Sequence, residues 1–417
     1  MTRRFSAAAI PVGLTLALLV SRVAAVPPLS DPVRGTVSGS LTLKVPGLYL
    51  ILAPVFTMWD GISMLSMTRL KGFLAGLLFL YVVWRVVHWV WDKRTGSLVR
   101  RWLRELGVLA ASITLLLIFL VVGALWHRPM LSLAGTAAGE RVVDFHSHTN
   151  VSHDVAGTFM KDFDAAADLR WHSRAGFDAT FITDHNVASE PGPHGPGQSR
   201  VSSRESAGLT VPCPGIEVSA WRAHIVLLGD TLPVDRAKYN SSLESLLQLL
   251  GTSERAYGSL SVASLPEYRR NHWHRLDTLV GAGLDGFEIV NASPKANELT
   301  RAERDTVIAL ARAHDRFVLG VSDSHGWGAT SMVWNLVPVP PATSPARLCR
   351  AVLDQLGNGF EAVRVIERHR LRPEAWWPMS LTPVGMVWET WRSMGWALTA
   401  SWLLWIWLAW GVAHRRR

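Results

Sequence analysis

Cysteine is nearly missing from this chain: two residues in 417, Cys213 and Cys349, far apart and in no CxxC pattern. That spacing supports neither a zinc ribbon nor a disulfide scaffold, and the pair is expected to say little about redox compartment. Charge is scarce too, at 18% of residues against 49% hydrophobic, which is too apolar for an ordinary soluble protein of this size. No internal sequence repeat is visible, and no stretch is large enough to be a polymerase.

Tryptophan is abundant instead, with 20 residues, 14 of them crowded into 84–126 and 376–410, as expected for rings that favour a membrane interface. The net charge of +9 suggests nucleic acid at first sight. Much of the excess, however, flanks apolar runs: Arg3 and Arg4; Lys93, Arg94, Arg100, Arg101 and Arg104; Arg415, Arg416 and Arg417. Membrane topology explains those clusters, so a lipid bilayer is the expected partner and nucleic acid is not.

Residues 106–126 and 393–413 are uncharged runs of 21 residues. At ~1.5 Å per residue, each is long enough to cross a hydrocarbon core ~30 Å thick. Residues 1–26 read as a signal anchor or a cleaved signal peptide. Region 27–126 holds two or three apolar helices: 72–91 is expected to span despite Arg85 and His88, whereas 46–66, with Pro54, is expected to lie at the interface or re-enter. A linker at 127–140 leads to a globular domain over 141–370, followed by an amphipathic linker at 371–392 and the last span. The positive-inside rule puts the basic clusters in the cytoplasm and residues 127–392 outside it, in a bacterial type of integral membrane protein. A span through 46–67 would reverse that parity, and the charge bias speaks against it.

Within 141–370, apolar bursts alternate with helical patterns, as in RVVDFHSH followed by DFDAAADLRWHSRA, or GFEIVN followed by RDTVIALARAH. Short strands alternating with helices predict an α/β domain of parallel strands, and seven or so such units predict a barrel. The strand candidates end in residues able to bind metal: His146 and His148, with Asp154 just beyond; His185 in TDHN; Glu217 in GIE; His224 opening the next strand; Asp323 and His325 in SDSH. In a parallel barrel such ends meet at one mouth. Histidines two apart on a strand face the same side, so Phe145 and Ser147 are expected in the opposite layer and Asp144 behind a ligating imidazole. Imidazole with carboxylate suits zinc, manganese or iron better than magnesium or calcium. His153, His172, His194, His272, His274 and His314 are read as bystanders.

The stretches DFHSHTNVSHD, GFDATFITDHN, GIEVSAWRAHIVLLG and GVSDSHG stand in order over roughly residues 141–330. In them the chain resembles the PHP (polymerase and histidinol phosphatase) family of metal-dependent phosphoesterases. The resemblance implies a distorted (β/α)7 TIM-like barrel with two or three divalent cations. His146, His148, Glu217 and Asp323 would hold one, Glu217 would bridge to a second with His224, and Asp154, His185 and His325 would hold a third. One departure is Leu265, in SVASLPEYRRNHW, where the family commonly has histidine. A binuclear site, a ligand swung in from His272 or His274, or a weak hydrated second cation all remain open.

The expected function is membrane-anchored hydrolysis of a small phosphorylated substrate, with a metal-bound hydroxide as nucleophile and no side chain in that role. Arg222, Arg269, Arg270 and Asn291 are the candidate substrate contacts, and the loop 190–200 is placed over the mouth. An amidohydrolase-type barrel is the runner-up, but it wants a bridging lysine that GIEVSA and AHIVLLG lack. A metal-binding, non-catalytic membrane module is the other alternative, and Leu265 is the feature that favours it.

Overall fold

The computed structural model describes residues 2–37, 40–91, 97–188, 210–229, 234–296 and 299–415. Its strands are β1 Leu29–Ser30, β2 Thr42–Lys44, β3 Ser132–Ala134, β4 Glu140–Ser147, β5 Ala179–Ile182, β6 Val211–Ala220, β7 Ala223–Leu228, β8 Leu260–Ala263, β9 Gly286–Asn291, β10 Phe317–Val321, β11 Val333–Pro338 and β12 Arg364–Arg368. Ten form one curled sheet in the order β1-β12-β11-β4-β5-β6-β7-β8-β9-β10, while β2 pairs with β3 apart from it. The curl brings the end of β10 back to β4, where Asp323 N donates to His146 O at 2.9 Å and His148 N to Ser324 O at 3.0 Å. The fold is mixed α/β, as the alternation of strand and helix patterns implied.

The expectation of parallel strands throughout is corrected. β4, β5 and β6 run parallel, as do β8, β9 and β10, but β7 is antiparallel to both neighbours. Trp221 and Arg222 form a two-residue turn between β6 and β7, with Arg222 at φ 60°. Positive φ suits the primed turns of tight hairpins, which glycine or asparagine usually supplies. A reversal at Trp-Arg therefore carries no composition signal.

Among the described residues, three helices are long and apolar enough to cross a membrane: Met67–Trp89, Val99–Leu125 and Trp396–His414. The 22-residue helix Thr2–Val23 holds a shorter apolar stretch, Ala8–Val23. Ala53–Ser63 has 11 residues, about 16 Å at 1.5 Å per residue and half of a bilayer core. It packs instead beside the end of Val99–Leu125. Trp59 Nε1 donates to Phe119 O at 2.9 Å, and its ring fills the space a side chain at Gly123 would need.

The domain and the helices are joined by buried charge. Asp60 accepts from Tyr49 Oη at 2.8 Å, Arg368 Nη1 at 2.9 Å and Thr330 Oγ1 at 2.7 Å, with Arg128 Nη2 at 3.5 Å. One carboxylate thus ties Ala53–Ser63 to the segment that follows the helix Val99–Leu125, to β12 and to the loop after β10.

The reading of the cysteines is corrected as well. Cys213 in β6 and Cys349 in the helix Pro345–Leu356 form a disulfide across 136 residues of sequence. Sequence distance hid the pair because the fold, not the spacing, brings them together.

Candidate metal centre

At the end of β4 the strand register slips by one residue. Asp144 lies opposite Thr180 and Ser147 opposite Ile182, so β4 spends three steps where β5 spends two. Such a bulge re-aims the side chains that follow it. Asp144 and Ser147 both meet the helix Ala165–Ala175: Asp144 Oδ2 is 2.8 Å from His172 Nε2, and Ser147 Oγ donates to Asp168 Oδ2 at 3.2 Å. Phe145 stacks on Phe181 in the core, and His146 and His148 converge at the mouth. Two expectations change in consequence. Phe145 and Ser147 do not share a layer, and Asp144 holds His172, a buried hydrogen-bonded histidine outside the donor groups, and not a ligating imidazole.

The eight predicted ligands assemble. His146 Nε2 and His148 Nε2 are 3.0 Å apart, each 3.3 Å from Glu217 Oε2, with Asp323 Oδ1 at 3.7 Å and 3.2 Å respectively. The other oxygen of Glu217 is 3.0 Å from His224 Nδ1, which works because an antiparallel β7 starts where β6 ends. Asp154 Oδ2 lies 3.2 Å from His185 Nε2 and 2.8 Å from His325 Nε2. Asp323 itself sits at φ 44°, a backbone region costly for residues with a side chain and frequent at functional sites.

Three donor groups are close enough to hold a cation: His146, His148 and Asp323; His148, His185 and Glu217; His148, Asp154 and His325. The arrangement fits divalent cations on its own terms. Two imidazole nitrogens 3.0 Å apart cannot both point lone pairs at one spot unless something positive lies between them. His185 Nδ1 is 3.1 Å from Glu217 Oε2 yet makes no aligned hydrogen bond, as two ligands of a common ion would be placed. Burial, with His325 nearby, holds His148 at about 4, so its ring is neutral and its lone pair free. Burial pushes His146 down too, but the Glu217, Asp323 and Glu288 carboxylates override it and raise the group well above the usual range.

Two functional carboxylates escaped the sequence reading. Glu288, in β9, is fully buried; its Oε1 lies 2.6 Å from His146 Nδ1, and its Oε2 accepts from Leu265 N and Asn291 Nδ2, both at 2.9 Å. A charge inside the apolar run GFEIVN was the available signal, since glutamate is rarely buried without a partner. Glu267 has an oxygen 3.7 Å from His224 Nδ1. It stands two residues past Leu265, whose buried side chain offers no donor. His272 is not drawn in, because its Nε2 is 3.2 Å from Trp221 O, and His274 is exposed.

The predicted substrate contacts divide. Asn291 is fully buried, its amide spent on Glu288 and, at 3.2 Å, on Asp323 Oδ2, so it positions ligands and is not free to meet a substrate. Arg269 is drawn aside by Glu303 at 2.9 Å. Arg222 and Arg270 are exposed, on the β6–β7 turn and after β8. The loop 190–200 and His194 lie outside the described residues, as do Lys93, Arg94, Arg416 and Arg417.

No family model matches the chain, and no curated protein does. Solved structures resemble parts of it. A protein of Bifidobacterium adolescentis assigned as a metal-dependent phosphoesterase is 16% identical, over 45% of this chain and 88% of that one, at a TM-score of 0.32. PsfC of Pseudomonas syringae PB-5123 is 18% identical, over 60% and 96%, at 0.36. An amidohydrolase of Chromobacterium violaceum, with bound sulfate and no metal, is 14% identical, over 44% and 87%, at 0.24. Such scores carry no chemistry across, and the function rests on the site.

Proposed function

We propose that the chain is a membrane-anchored, metal-dependent phosphoesterase whose domain is a distorted seven-stranded barrel of the PHP kind. The observation that carries this is the set of three donor triads sharing His148, built from the ends of β4, β5 and β10 and the residues just past them, with Glu217 from β6 and Asp154 from the short helix His153–Ala156. Divalent cations held there, zinc, manganese or iron by the donor types, supply charge to neutralise phosphate oxygens and a means of activating water. His146, His148 and Asp323 form one seat; Asp154, His185 and His325 form another; Glu217 reaches from the first toward His224. Glu288 keeps the His146 proton on Nδ1, because a carboxylate only accepts, and so leaves Nε2 for ligation. Arg222 and Arg270 remain the candidate contacts for the anionic substrate. The strand stretches GIEVSA and AHIVLLG, which carry Glu217 and His224, contain no lysine, which disfavours an amidohydrolase-type centre.

Two observations support an exoplasmic domain. The helix ends that carry Arg100, Arg101 and Arg104 and Arg415 are the ends remote from the domain, as the positive-inside rule requires of a cytoplasmic face. The Cys213–Cys349 disulfide suits an oxidising compartment.

The test uses the full chain in detergent, loaded with manganese or zinc, on panels of phosphate mono- and diesters. Activity lost in His146→Ala/His148→Ala together with the bound metal supports the reading. A metal-loaded protein inert on every ester leaves the non-catalytic alternative standing.

A further inference from the structure

The loop that carries Asp323 and His325 does not end in solvent. Two residues on, the Trp327 ring stacks on His127 at 4.0 Å, and Gly328 lies so close to Ala124 that a side chain there would be 3.2 Å from its Cα. Arg128 holds this contact, donating to Gly123 O at 2.8 Å and to the Trp327 and Gly328 carbonyls at 3.4 Å each, while Ser63 Oγ donates to Gly328 O at 3.2 Å. Ala124 belongs to the last turn of a span and lies inside the uncharged run 106–126. At no more than about 3.6 Å per residue, the Cα of His325 is within about 11 Å of Gly328 and so within about 16 Å of Ala124 in that run.

Other contacts between domain and helices come from the same end of the barrel. Met67, which opens the first span, donates from N to Pro294 O at 2.8 Å, just past β9, and Arg368 at the end of β12 reaches Asp60. β12 runs parallel to β4, since both are antiparallel to β11, so its end too is at the mouth. The rim between Asp154 and this loop is apolar: Phe159 is 92% exposed, and Met160 packs on Gly326. A donor cluster opening toward solvent has no need of such a seat.

We propose that the substrate is the phosphate ester of an acyl-chain lipid, taken from the bilayer surface by a mouth held against that surface. The proposal rests on the phosphoesterase reading above. In the reaction, water adds its oxygen to phosphorus and the bond from phosphorus to the lipid oxygen breaks. The lipid leaves as an alcohol bearing one proton of that water, and the phosphate product takes the other.

The test is phosphate release by the full chain reconstituted with manganese in vesicles of phosphatidylcholine containing dioleoyl phosphatidic acid, against glycerol 3-phosphate and p-nitrophenyl phosphate at the same bulk concentration. A second arm with dioleoyl phosphatidylglycerol, read as diacylglycerol or phosphatidic acid formed, covers the diester. Confinement to one surface predicts a lipid rate on the order of 100-fold above that on glycerol 3-phosphate. Hydrolysis of the soluble esters with both lipids untouched overturns this inference and leaves the phosphoesterase reading intact. Failure on all four compounds removes that reading, and the inference with it.

Discussion

Nδ1 of His146 lies 2.6 Å from Oε1 of Glu288, deep beneath the mouth. The pair fixes the tautomer of a ring on which the centre depends. In Glu288→Gln the amide oxygen keeps the bond from Leu265 N, and the amide nitrogen then faces Nδ1, moving the imidazole proton to Nε2. Metal affinity is expected to fall by about 10- to 100-fold, the usual effect of losing such a partner, as read by calorimetric titration of manganese. Unchanged affinity would show that Glu288 only fills space.

Glu267 approaches the same ring nitrogen of His224 as Glu217 does, at 3.7 Å against 3.0 Å. If it takes up the role that Leu265 cannot, Glu267→Gln lowers the bound metal measured by plasma mass spectrometry, while Leu265→Ala leaves that number alone. Equal metal content in Glu267→Gln and wild type would restrict the second cation to Glu217, His224 and water.

Asp60 is 1% exposed and faces Arg128 and Arg368, also buried. Removing one partner of a buried ionic group leaves uncompensated charge and costs about 3–5 kcal/mol. Asp60→Ala is thus expected to melt at lower temperature in detergent and to expose the junction near Thr330 to protease first. Replacing the exposed Asp277 in the same way should do neither.

His172 sits between Asp144 and Asp168 behind the bulge. Burial pushes it down, but Asp168 and then Asp144 override that and raise it to about 10 from the ordinary 6.5. The proton it keeps in the folded state stabilises the domain fully below pH 6.5, and that contribution drains away as pH rises toward 10. Melts in the presence of chelator should therefore fall over this window, and His172→Gln should flatten the slope. A wild-type curve level from pH 7 to 10 would mean that the cluster holds no proton.

The candidate donors and their order along the chain were legible because most are polar residues in or beside short apolar strands, a pattern that local sequence carries. The site was thus readable as a set of residues, from His146 to His325. Their surroundings were not. The bulge that separates Asp144 from His146 depends on pairing with β5, the reversal at Trp221 and Arg222 lacks a glycine or asparagine, and Cys213 meets Cys349 only through the sheet. Glu288 and Glu267 take their partners, His146 and His224, from distant parts of the chain, so beyond the charge inside GFEIVN no local pattern marks a role. The short helix Ala53–Ser63 was readable as non-spanning from its length, whereas its buried Asp60 gains a reason only from Arg128 and Arg368.

His148 stands in all three donor groups. A neutral imidazole has one lone pair to give, so those groups compete for it and cannot all use it together. A cation that claims His148 with His146 and Asp323 would leave to the next the set that does without it, Asp154, His185 and His325. Successive equivalents of metal would then meet different donor sets, even though those sets lie within one ring of strands. A centre of this kind reads the metal supply around it by degrees, as a partly filled state with its own properties before it is full.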